Sequence, residues 1–107
     1  MAYDRELVER IHALIANEPG VEEKRMFGGV AFMVAGSLTV AAMSDGDLLA
    51  RVGRDNATGL MGPGVEQMAM KGRPMTGWLR VSADVCDDDE VLAQWVRRCV
   101  DFVRTLD

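Results

Sequence analysis

Apolar positions recur with a helical period at both ends of the chain. The first stripe falls at spacings of four, seven and eight residues and comprises Leu7, Ile11, Leu14 and Ile15. This pattern predicts an amphipathic helix over residues 5–16. Asp4 is the expected N-cap, because its carboxylate can accept from the free amides of the first turn. Pro19 ends the helix, since proline disfavours the helical conformation in the residue before it.

The second stripe occupies the end of the chain and comprises Leu92, Trp95, Val96, Cys99, Phe102, Val103 and Leu106. It predicts the clearest helix, with Trp95 in the core rather than in a ligand site. Asp87 and Glu90 have the spacing of a capping box, so Asp87 is the predicted N-cap.

Between the helices the pattern changes to short apolar runs separated by turn residues. Three runs predict a meander of strands over Val30–Val34, Leu38–Met43 and Leu48–Val52. Two more strands are predicted over Glu66–Met70 and Trp78–Val81, with residues 71–77 as a loop or an irregular edge. A short helix over 54–61 has weaker support, with Asp55 as its cap. The fold class that follows is α+β, with a two-layer arrangement of an antiparallel meander packed by the N- and C-terminal helices.

A double glycine, Gly28-Gly29, follows Phe27 at the entry to the first predicted strand. Glycine is favoured where φ is positive or where another backbone passes close by. We therefore expect one of these two glycines to hold a conformation that other residues avoid.

Composition narrows the class of protein. The 107 residues suit a single domain, and 49% of them are hydrophobic. The longest apolar runs are too short to span a membrane, so a cytoplasmic protein without membrane association is expected. Cys86 and Cys99 lack CxxC spacing and are interpreted as reduced, buried thiols. The net charge of −5 disfavours binding to nucleic acid through overall charge.

No pattern of catalytic, cofactor-binding or metal-ligating residues is found. His12 stands without Cys, Asp or Glu at ligand spacing, and it is interpreted as solvated or locally bonded. The chain has no GxSxG, GxGxxG or GxxxxGK[ST] motif. The acidic run 87–90 is explained by helix capping more simply than by a cation site. We expect no enzyme and no cofactor.

Two basic groups lie beside glycines, where they could receive an anion if the fold brings them together. They are Lys24-Arg25 and Lys71 with Arg73. Eight methionines are a high count for this length, and they fill irregular cores or form adaptable binding surfaces. The candidate interaction residues are Lys24, Arg25, Phe27, Gly28, Gly29, Lys71, Arg73 and Trp78.

Five segments in this order resemble the TfoX N-terminal domain family over nearly the whole chain: MAYDRELVERIHALI, EKRMFGGVAFMVAGSL, DLLARVG, MKGRPMTGWLRV and DDDEVLAQWVRRCVDFV. The resemblance implies a single domain over residues 1–107 with the order α-β-β-β-α-β-β-α. Longer members carry a further helical domain and regulate bacterial competence for DNA uptake. The family brings no catalytic pattern.

The hypothesis that follows is a nonenzymatic interaction or regulatory module. It would bind a protein partner through a sheet edge or through the methionine- and glycine-rich loop region, and a homodimer stays open. One alternative is a transcription-associated protein that contacts nucleic acid through Lys24, Arg25, Lys71 and Arg73, although direct DNA binding is not expected at this net charge. The other is a small-molecule binder or enzyme with a pocket near Phe27, Gly28 and Trp78.

Overall fold

A computed structural model describes residues 4–26 and 28–106 of the chain. Within these residues the order of elements is α1 (Arg5–Ile15), β1 (Val21–Met26), β2 (Gly29–Val34), β3 (Ser37–Ala42), β4 (Leu48–Arg51), α2 (Arg54–Leu60), β5 (Val65–Met70), β6 (Arg73–Val81), α3 (Ala83–Cys86) and α4 (Asp89–Arg104). The predicted α+β class is confirmed. The order implied by the resemblance lacks β1 and α3.

The six strands form one antiparallel sheet with the order β1-β2-β3-β4-β6-β5. The strands β1 and β5 are therefore its two edges. The long helix α4 packs against α1 and against the central strands β3 and β4. This arrangement places the large helices in one layer and the sheet in the other.

The sheet register explains how the helix side of the sheet becomes the main core. One row of paired residues crosses all six strands: Arg25, Val30, Ala42, Leu48, Val81 and Val65. All of its apolar members belong to the large core cluster, which also holds the buried faces of α1 and α4. Because successive side chains point to opposite faces, the neighbouring row must face away from the helices.

The two predicted amphipathic helices are present. Asp4 caps α1 by accepting from the amides of Glu6 and Leu7. Trp95 on α4 is 6% exposed, which confirms its assignment to the core. Leu14 and Leu106 belong to the two apolar stripes of the sequence, but they are 43% and 44% exposed.

The cap of α4 differs from the predicted one by a single position. Asp88 accepts from the amides of Glu90 and Val91, at 2.9 and 3.2 Å. Asp87 instead follows the short helix α3 as its C-cap residue. The capping box is therefore wrong, because α3 occupies the residues immediately before Asp87 and shifts the start of α4.

Three further predictions are corrected. The strand β1 was missed because charged residues fill it and leave no apolar alternation. Of the loop or irregular edge predicted over 71–77, the loop is wrong: only Lys71 and Gly72, both at positive φ, form the turn, and β6 begins at Arg73 with an irregular register against the edge strand β5. The helix α2 is present, but Gly53 precedes it and Asp55 lies in its first turn rather than at the cap.

The β5–β6 pair contains a wide irregularity that one side chain closes. The register shifts between Gln67 and Ala69, so residues 75–78 of β6 bulge out of the ladder. The Gln67 Nε2 donates to the carbonyls of Met75 and Trp78, at 2.6 and 3.2 Å. The Gln67 side-chain amide therefore donates to two carbonyls that have no partner in the interrupted β5–β6 ladder. Buried carbonyls need such a donor.

Candidate interaction surface

The sheet order separates the two basic groups that the sequence analysis singled out. Lys24 and Arg25 lie on β1 at one edge, whereas Lys71 and Arg73 lie at the β5–β6 turn beside the other edge. Five strand spacings separate the edge strands, which is roughly 24 Å across the sheet. Even within the first pair, Lys24 and Arg25 point to opposite faces, because they are consecutive residues of one strand. The fold does not join these residues into one basic patch.

The double glycine forms the expected corner between β1 and β2. Gly28 has a φ of 76°. Gly29 has no room for a side chain, because a Cβ there would lie 2.0 Å from the carbonyl oxygen of Ala42. Gly28 thus has the predicted positive φ, and Gly29 has the predicted close approach of another backbone. Phe27 lies outside the described residues.

Trp78 lies at the opposite end of the sheet from Gly28. It pairs with Arg51 on β4, whose guanidinium carbon is 5.1 Å from the centroid of the Trp78 ring. Gly28 lies at the end where β3 runs into Met43 and Ser44. The fold therefore does not bring Gly28 and Trp78 into one pocket, as the small-molecule alternative requires, because the length of the sheet separates them.

The side of the sheet that faces away from the helices carries a second, smaller apolar cluster, which we call the open face. Its members all lie on strands or directly follow one: Met26, Ala31, Leu38, Ala41, Met43, Leu49, Met68, Met75 and Trp78. No helical residue of the described chain belongs to it. The central residues Ala31, Ala41 and Leu49 and the methionine Met68 are buried, while Met26, Met43, Met75 and Trp78 lie half-buried around them.

One row of paired residues crosses the middle of the open face and ends in opposite charges. In order across the sheet it is formed by Lys24, Ala31, Ala41, Leu49, Arg80 and Glu66. Lys24 and Glu66 are exposed, and neither forms an ion pair within residues 4–26 and 28–106. The central row is thus apolar in its middle, with Lys24 at the β1 end and Glu66, next to Arg80, at the β5 end. Glu22 is exposed on the same face of β1 as Lys24, so both signs of charge occur at that edge.

Arg80, in the same row, is held by the turn between β3 and β4. Its Nε donates to Asp47 at 2.9 Å, and its Nη2 donates to Asp45. Asp47 also accepts from the backbone amide of Ala83, at 3.0 Å, and so ties this turn to the start of α3. Arg80 is therefore already paired with Asp45 and Asp47, whereas Lys24 and Glu66, at the ends of the row, form no ion pair within the described residues.

The single histidine and the two cysteines are accounted for by their surroundings. The Nδ1 of His12 lies 2.7 Å from the carboxylate of Glu23 on β1, as expected for a locally bonded histidine. Burial raises the pKa of the Cys86 thiol to about 11 and that of the Cys99 thiol to about 12. Both cysteines are free and buried, which keeps them as thiols rather than nucleophilic thiolates at neutral pH.

A groove of about 880 Å³ lies between α2 and α4. Phe102 and Leu60 provide its apolar lining, while Arg54, Asp55 and Arg98 mix both signs of charge around it. Among the described residues, no buried side-chain nitrogen or oxygen lacks a hydrogen-bond partner. The groove is therefore lined by no buried side-chain nitrogen or oxygen that lacks a hydrogen-bond partner.

The described part of the chain contains neither a cluster of metal-ligating side chains nor a membrane-spanning helix. No group of three or more His, Cys, Asp or Glu side chains there could hold a metal ion. No helix of the described residues is long and apolar enough to cross a membrane.

The model of the TfoX N-terminal domain family matches residues 13–103. The chain belongs to the TfoX N-terminal domain family. The match covers the last three residues of α1, the whole sheet and all of α4 except Arg104, so the open face and both basic groups lie inside the family domain. The comparisons with curated proteins and with solved structures gave no match.

Proposed function

We propose that this TfoX N-terminal domain is a nonenzymatic regulatory module that binds protein through the open face of its sheet. The observation that carries the proposal is the second apolar cluster, which lies on the side of the sheet away from α1 and α4. A sheet with two apolar faces normally buries both against other elements. In this chain the helices cover one face, and the second is available to a partner.

The composition of the open face supports a protein partner. Methionine is flexible and polarisable, so it adapts to varied apolar surfaces, and tryptophan is enriched at interfaces between proteins. Met43, Met75 and Trp78 are all half-buried there, which leaves apolar surface for a partner to cover. Membership in a family whose longer members regulate competence supports the regulatory part of the proposal.

The distribution of charge favours a protein partner over nucleic acid. Binding to phosphates requires several cations that reach one backbone together. Here Lys24 lies at one edge of the sheet and Lys71 and Arg73 lie beside the other, in a chain of net charge −5. Cations at opposite edges cannot follow a single groove as a compact basic patch does.

Affinity purification from the native host tests the proposal when it is performed with matched variants. Leu38→Lys places a charge on the open face, whereas Leu14→Lys places the same charge on an exposed position of α1. We expect proteins that copurify with the wild type to be retained by Leu14→Lys and lost with Leu38→Lys. Equal recovery with both folded variants would contradict binding through the open face.

A further inference from the structure

We infer that the open face is a self-association surface, covered by the open face of a second copy of this chain. The two copies are related by a twofold axis parallel to the strands. This inference rests on the proposed function, because it names the partner of the same surface. The opposite charges of Lys24 and Glu66, at the two ends of the central row, favour a second copy of this chain as the partner. They also set the direction of the twofold axis.

The two ends of the central row are complementary in charge under that rotation. Lys24 lies at its β1 end and Glu66 at its β5 end, with Ala31, Ala41, Leu49 and Arg80 between them. A twofold axis along the strands exchanges the two edges when one sheet is laid on the other. Lys24 of each copy then faces Glu66 of the other, so two ion pairs form at opposite rims of the interface.

The distances of sheet packing suit these contacts. Two sheets packed face to face lie about 10 Å apart, with their strands within about 30° of each other. Long side chains such as lysine and glutamate can bridge the rim of such a sandwich, while the methionines and Trp78 interdigitate around Ala31, Ala41 and Leu49. Lys24 and Glu66 have no ion-pair partner within the described chain, so neither must give up an existing ion pair.

The size of the face also suits a dimer. Six strands of about six residues each cover on the order of 600 Å² on one side of a sheet. Two such faces bury roughly 1,200 Å², which is the lower end of the range for specific interfaces. The expected complex is therefore a reversible dimer of modest affinity.

Pairing through the sheet edges is less favourable. Two copies of β1 related by a twofold axis perpendicular to the sheet would place one residue opposite itself. For the middle of β1 that residue is Glu23 or Lys24, and like charges directly opposite each other are destabilising. At the other edge, the irregular register between Gln67 and Ala69 interrupts the regular β5–β6 ladder.

Sedimentation velocity on the purified chain, with reciprocal charge reversals, tests the inference. We expect a concentration-dependent dimer for the wild type. Lys24→Glu and Glu66→Lys should each weaken it roughly tenfold, because each reverses both ion pairs. An equal mixture of the two variants should dimerise as well as the wild type, since a heterodimer restores both pairs. The double variant Lys24→Glu with Glu66→Lys should also dimerise.

Two comparisons make the outcome decisive. Leu38→Lys should abolish the dimer and Leu14→Lys should leave it unchanged, with circular dichroism confirming that each variant is folded. A monomeric wild type, or single reversals that the mixture does not rescue, would overturn the inference. If the wild type is monomeric but its copurifying proteins still depend on Leu38, the dimer fails and the proposed function stands. If those proteins do not depend on Leu38, both fail.

Discussion

The backbone of Gly29 on β2 packs directly beneath the carbonyl oxygen of Ala42 on β3. A Cβ at position 29 would lie 2.0 Å from that oxygen, and the obstacle is backbone rather than a movable side chain. Gly29→Ala should therefore lower the free energy of unfolding by about 1–3 kcal/mol through overpacking. Denaturation in urea measures the change.

A matched glycine on α2 provides the control for this prediction. Gly59 has no heavy atom within 4 Å of its Cβ position and lies in a helix without positive φ. Gly59→Ala should therefore raise stability by roughly 0.5–1 kcal/mol, because alanine is the better helix former. Equal midpoints for Gly29→Ala and the wild type would show that β2 and β3 do not approach as described.

The two aspartates that precede α4, Asp87 and Asp88, provide a second test. Asp88→Ala should cost about 0.5–2 kcal/mol, because the carboxylate that accepts from the Glu90 and Val91 amides is lost. Asp87→Ala should cost much less, since the Asp87 side chain does not cap α4. Chemical denaturation of both variants decides between the two positions, and a larger loss for Asp87→Ala would move the cap back to the position expected from the sequence.

The position of the α4 N-cap could not be predicted from the sequence alone. The apolar stripes of α1 and α4 and the runs of β2, β3 and β4 were predictable, because a single periodic pattern records which face is buried. The choice between Asp87 and Asp88 depends on α3, which has only four residues and leaves no periodic signal. The strand β1 was not predicted for a related reason: its middle four residues are charged, and the strand forms because it pairs with β2.

The candidate surface was predictable only in its parts. The sequence pointed to the methionines, to Trp78 and to Lys24, but it assigned the basic residues to one group of interaction candidates. Their separation depends on the sheet order, in which β5 lies outside β6 and so becomes the edge opposite β1. The sequence did not indicate Glu66 as a candidate residue. Its place in the same row as Lys24 is set by strand pairing across the six-stranded sheet.

The buried cysteines predict a loss of stability in alkali. Burial raises the pKa of Cys86 to about 11 and that of Cys99 to about 12, from an ordinary value of 9.0. Above pH 9 the unfolded chain loses these protons while the folded chain keeps them. The free energy of unfolding should therefore fall as pH rises between about 9 and 12. Urea titrations across that range should show a shallower fall for Cys99→Ala than for the wild type; an equal slope would contradict the assignment.

The separated basic groups predict weak binding to duplex DNA. Non-specific affinity of proteins for DNA is typically about 10⁻⁴–10⁻⁶ M at physiological salt and comes largely from phosphate contacts. This acidic chain should bind at or beyond the weak end of that range. Fluorescence anisotropy with a labelled duplex checks this prediction. Submicromolar binding that disappears when Lys24, Arg25, Lys71 and Arg73 are changed to alanine would favour the nucleic-acid alternative.

The methionine methyl groups give the most direct test that the open face binds protein. Selective ¹³C labelling of the methyl groups allows Met26, Met43, Met68 and Met75 on that face to be followed individually by NMR, with assignments from single substitutions. Met61, which is 38% exposed and outside the open-face cluster, is the internal control. The account predicts that these four signals shift or broaden as the protein is concentrated, or when a copurifying partner is added, while Met61 stays unchanged. Changes at Met61 with no change at the four open-face methionines would contradict it.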